Sequence, residues 1–111
     1  MKLINLTPHK VTLATPDGEL TVEPSGQVAR VSEIYTHLDE IEVGGVRVPF
    51  GHVSYSAIEG LPDPEPGALY IVSRPVADKA ATRSDLVVPY RLVRDEQGQV
   101  IGAAGLARIV E

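Results

Sequence analysis

Apolar and polar residues alternate along this chain in short runs, and Gly, Pro, Asp and Ser interrupt the runs every few positions. A period of two is the mark of strands with one face buried. "KLINL", residues 2–6, reads as a first strand stopped by "TPH". In "KVTLA" Val11 and Leu13 share a face, and in "ELTVE" Leu20 and Val22 do. Pro16, Asp17 and Gly18 lie between them with the chemistry of a turn, so a hairpin is predicted. After "PSG" the run "QVARVS" alternates again. "IEV" and "VRV" flank Gly44-Gly45, a pair free to take the positive φ angles of a two-residue hairpin loop. "HVSYSAI" follows, with Val53, Tyr55 and Ala57 alternating against His52, Ser54 and Ser56.

"GLPDPEPG" carries proline at 62, 64 and 66 and cannot enter a central strand; it reads as an extended connector. "ALYIVS" enters the core as a strand, and an Ala-rich stretch then breaks the alternation. A short helix is predicted over about residues 74–82, with Ser73 as N-cap, Pro75 in the first turn and Asp78 near the positive end of the dipole. "DLVVP" is a short buried strand, and "YRLVR" and "QVIGAAGLARIV" form a further hairpin around Asp95 to Gly98. The pattern predicts a single β-dominated α+β domain over 1–111, with about nine short, mostly antiparallel strands in hairpins and one short helix.

Composition narrows the choices. Apolar residues are 43% of the chain but aromatics only 5%, with no Trp, so the core is built from Val, Leu, Ile and Ala. Ten basic residues stand against fifteen acidic ones, which argues against a nucleic-acid surface. The chain has no Cys, hence no disulfide, thiolate metal site or cysteine nucleophile, and this fits a cytoplasmic protein. "MKLINLTPHK" contains no apolar leader and no run long enough to span a membrane, so the Asn5-Leu6-Thr7 sequon is not expected to be used.

Catalytic patterns are lacking. His9, His37 and His52 have no zinc-like spacing, and neither a metal nor a cofactor is expected. His52, Ser54 and Ser56 share one strand face without a nucleophile elbow, and read better as a hydroxyl-dressed surface. Asp63 and Glu65, or Asp95 and Glu96, sit in a proline connector and a turn tip, places expected to be wet, whereas acid–base work needs desolvated carboxylates. "GAAG" at 102–105 lacks the lysine and following helix of a phosphate loop.

"VSRPVADKAATRSDLVVP" offers more. A strand running into a helix start turns free backbone N–H groups towards any anion, and Arg74 adds a planar fork beside the Ser73 hydroxyl. Arg83, Arg91 and Arg94 follow closely, and Tyr70 and Tyr90 offer flat rings for a base. Ser73, Arg74, Arg83 and Arg94 are therefore the expected anion contacts, with Tyr70 for stacking and Asn5 and His9 as base or ribose contacts. The competing expectation is an Arg–Asp network, Arg83 with Asp85 and Arg94 with Asp95, on a wet surface.

"INLTPHKVTL", "PSGQVARV", "GLPDPEPGALYIVSR", "RSDLVVP" and "LVRDEQGQVIGAAGL" together resemble a family of small proteins of phages and bacteria, actinobacterial ones especially. The resemblance runs nearly the whole length. Members typically carry Cys where this chain has Ala103, so no thiol role carries over. The chain is also similar in size and in its lack of catalytic machinery to phage anti-defence sponges of the Thoeris type, oligomers that bind nucleotide immune signals. That similarity implies a non-enzymatic binding protein that sequesters an ADP-ribose derivative or cyclic nucleotide. A protein–protein inhibitor or accessory phage protein with no small ligand is the alternative. A homo-oligomer, most simply a dimer, is expected, because short strands leave edges that symmetric pairing can cover.

Overall fold

Two apolar runs, "LYIV" and "LVV", meet side by side at the centre of the molecule, and the rest of the body is arranged around them. The computed structural model describes residues 1–110. It is β-dominated, with eight strands and one short helix. In chain order these are β1 (Lys2–Asn5), β2 (Val11–Thr15), β3 (Gly18–Val22), β4 (Glu33–Val43), β5 (Val46–Tyr55), β6 (Ala68–Ile71), α1 (Arg74–Lys79), β7 (Leu86–Arg94) and β8 (Val100–Ala107). Six strands form one sheet in the order β1-β6-β7-β8-β2-β3, and β4 pairs with β5 alone.

The predicted hairpins form. β2 pairs antiparallel with β3, β4 with β5 and β7 with β8. Gly44 and Gly45 take φ of 58° and 81° at the β4–β5 turn. Parallel pairing joins β1 to β6 and β6 to β7, with α1 in the crossover that parallel neighbours require. These strands are covered on both faces, which explains their unbroken apolar runs. Tyr70, Val72, Leu86 and Val88 pack with Leu6, Val76 and Ala77 on the helix side. Ile71 and Val87, paired in register and pointing the other way, are buried as well, as are Leu13 and Ala103.

Four boundaries differ from the sequence expectation. "VRV" and the start of "HVSYSAI" run together as the single strand β5. "QVARVS" is not a strand; Arg30 makes an isolated bridge to Glu59 instead. "DLVVP" and "YRLVR" merge into the single strand β7, with Pro89 inside it opposite Leu106. The helix ends at Lys79 and not near 82, because Arg83 turns the chain: its N–H donates to the Ala80 carbonyl at 2.9 Å while its side chain is held elsewhere.

The sheet curls until its outer strands meet at Asn5. The Asn5 carbonyl accepts from the Ser25 N–H at 3.0 Å, and its side-chain amide donates to the Val22 carbonyl at 3.1 Å. The β4–β5 hairpin does not join this body. It projects as an arm whose every residue is exposed. The radius of gyration is 17.9 Å, against about 13 Å for a compact chain of this length.

Candidate ligand groove

Three segments distant in sequence converge beside β7. The turn after β1 contributes Thr7, His9 and Lys10, the β6–α1 junction contributes Ser73 and Arg74, and β7 contributes Tyr90 and Arg91. They line a groove of about 500 Å³ with an apolar floor that includes Val72, Val88 and Leu92. No carboxylate among the described residues lines it. Among the described residues Lys10, Arg74 and Arg91 form no ion pair. Three uncompensated cations around an apolar floor attract a ligand that is anionic at one end and flat or greasy at the other.

Local backbone explains how the site is held. Asn5 is 1% exposed and its side chain makes a full set of hydrogen bonds. Its amide donates to the His9 carbonyl at 2.8 Å and to that of Val22, and its Oδ1 accepts from the Thr7 N–H at 2.9 Å and the Thr7 hydroxyl at 2.7 Å. The "NLTPH" turn is thereby fixed, and His9 and Lys10 with it. Ser73 occupies the N-cap position of α1 with extended backbone, and its hydroxyl makes no capping bond. On β7, Arg91 has φ of 55°, the one positive value outside glycine among the described residues. A non-glycine residue held there is strained, and such strain concentrates at ligand clamps. The Arg91 guanidinium lies 5.2 Å from the centre of the Tyr90 ring, within the ~6 Å reach of a cation–π contact.

Of the expected ligand contacts, Ser73, Arg74 and His9 come together in this groove. The other four stand elsewhere, each for a physical reason. Asn5 is the buried clamp just described, with no hydrogen-bonding capacity left for a base or ribose. Tyr70 is 3% exposed; its ring belongs to the core and its hydroxyl donates to the Asp63 carbonyl at 3.2 Å, so no face is open for stacking. Arg83 is engaged: Nε and Nη2 grip Asp85 at 2.9 and 2.6 Å and Nη1 donates to the Pro62 carbonyl at 2.9 Å. Arg94 lies at the β7–β8 turn and donates to the Gly98 carbonyl at 2.8 Å.

Lys10 and Thr7 escaped the sequence reading. The β1–β6 pairing that carries them to Arg74 leaves no trace in local pattern. The other two histidines lie on the arm, His52 opposite Thr36 and His37 opposite Gly51. Ser56 is spent at the arm's base, where its hydroxyl accepts from the Ser32 N–H at 2.9 Å. No family model, curated protein or solved structure matches the chain.

Proposed function

We propose that this chain is a non-enzymatic binding protein that sequesters a small nucleotide-derived anion, of the ADP-ribose or cyclic-nucleotide class, in the groove beside β7. One observation carries the reading: Lys10, Arg74 and Arg91 reach the same groove from three segments, and among the described residues no carboxylate lines it. The Thr7 and Ser73 hydroxyls suit phosphate or ribose oxygens, and the half-exposed Tyr90 ring suits a base. The resemblance to phage proteins gives such binding a purpose, removal of an immune signal in the host cytoplasm, with the chain acting as a homo-oligomer.

Calorimetric titration of the purified protein with ADP-ribose derivatives and cyclic dinucleotides tests this. Saturable binding that Arg74→Ala weakens about ten- to a hundredfold supports the reading. No heat and no thermal shift across the panel, with folded protein free of nucleotide, would discard it. The second reading, a protein–protein module without a small ligand, would then take its place; the exposed apolar residues of the arm favour it.

A further inference from the structure

The register of the arm sorts its residues into two unlike faces towards the tip. Ile41 stands opposite Val48, Val43 opposite Val46, and Phe50 opposite Asp39, so these six share one face. Glu40, Glu42, Arg47 and Pro49 share the other. Arg47 pairs with Glu40 at 3.8 Å on that polar side. Five large apolar side chains thus lie on one side of a two-stranded ribbon, with Val46 63% and Phe50 51% exposed. Two-stranded ribbons are marginal in water unless the apolar side is covered, and among the described residues all five of these side chains are exposed.

The body has a matching surface. Leu92, Val100 and Ile101 on β7 and β8 are all at least half exposed and line a shallow apolar groove of about 270 Å³ together with Val11. Lys10 is the one charged residue in that lining, and Asp39 is the one charged residue on the arm's apolar face. Hydrophobicity and charge are complementary between two parts of the same chain.

We infer that the arm of one copy lies along the Leu92–Ile101 surface of a second copy, and that the second copy returns the contact, giving a two-fold, arm-exchanged dimer. Area decides between this and two arms packing tip to tip. The apolar face takes five residues of each strand, about 17 by 10 Å or roughly 170 Å², and the whole face of the ten-residue strands about 330 Å². Packing of two apolar tips alone would bury only about 340 Å² in total, the scale of a chance contact, whereas reciprocal exchange along the whole length of both arms buries about 1,300 Å², within the range of specific dimers. Isologous exchange also closes on itself and leaves no third arm to recruit.

Sedimentation of the full chain at micromolar concentration should show a dimer. V46D with F50D on the arm, or L92D with I101D on the body, should each raise the dissociation constant about tenfold or more, because a carboxylate is then placed in an apolar contact. Mixing the two variants should restore association in part, since one arm and one surface remain intact in the mixed pair. The absence of native Cys allows a second readout that does not depend on how the Asp variants fold. F50C chains mixed with I101C chains should form the mixed disulfide under mild oxidation in preference to either self-disulfide. A monomeric wild-type chain, a body variant that dimerises like wild type, or cross-linking of F50C chains only to each other would overturn the inference. Lys10 and Leu92 also line the ligand groove, so the two sites adjoin; none of these readouts involves a nucleotide, and failure here is distinguishable from failure of the ligand reading.

Discussion

Arg83 and Asp85 form a two-pronged ion pair at the exit of α1, with Nε to Oδ1 at 2.9 Å and Nη2 to Oδ2 at 2.6 Å. Both side chains are mostly buried, at 21% and 15% exposure, and the third guanidinium contact reaches the Pro62 carbonyl of the proline-rich connector. The pair therefore stitches the helix exit to a segment that has no strand partners. Arg83→Ala strips a mostly buried carboxylate and a carbonyl of their donors together, and a loss of about 1–3 kcal/mol is expected. Urea denaturation measures it. Ligand binding should stay within a few-fold of wild type, since Arg83 does not line the groove.

The same pair has a pH signature. Hydrogen bonds from Arg83 hold the Asp85 carboxyl below the usual carboxylate range. A depressed folded pKa contributes stability that is complete above the unfolded value of about 3.9 and disappears as pH falls through the folded one. The stability advantage of wild type over Asp85→Asn should therefore be constant near neutrality and shrink as the solution is acidified below about pH 4. Denaturation of both proteins from neutral to acid pH checks this; a gap that widens in acid would contradict it.

Asn5 is expected to be a stability residue and only indirectly a binding one. Asn5→Ala leaves the Val22 and His9 carbonyls and the Thr7 N–H without their partner, and each group left buried and unpaired costs about 1–3 kcal/mol. Asn5→Asp keeps the acceptor for Thr7 but loses both donors and buries a charge, so it should be no milder. Thermal denaturation of the two variants tests the ordering. Hydrogen exchange should show faster opening of both the "NLTPH" turn and the end of β3, because Asn5 is where the sheet's outer strands meet.

How far these features could be read from sequence depends on their range along the chain. Alternation and turn chemistry are local, so the hairpins around Asp17-Gly18 and Gly44-Gly45 were legible. The parallel β1–β6–β7 core was not, because a buried "LYIV" run says nothing of its neighbour's direction. The arm hid for a different reason. Ile41, Val43, Val46 and Val48 alternate as core residues do, and periodicity alone does not show whether a face meets the body or water. In the groove, Arg74 and Ser73 stood out through the strand-to-helix junction, whereas Lys10 arrives through tertiary pairing. Arg83 and Asp85, two residues apart, met the expectation of a local ion pair.

Arg91 sets stability against binding in a single residue. Its positive φ suits glycine, and a non-glycine residue there costs on the order of 1 kcal/mol. Arg91→Gly should therefore leave the fold as stable as wild type or slightly more so. In the ligand reading the same change removes a cation from the groove and its contact with Tyr90, so affinity for the nucleotide probe should fall about ten- to a hundredfold. Arg74→Lys should recover little of what Arg74→Ala loses, because a point charge does not reproduce the planar fork. Calorimetry and urea denaturation on the same Arg91→Gly preparation separate the two effects. A variant that loses stability and keeps its affinity would mean that the strained backbone serves the sheet and not the groove.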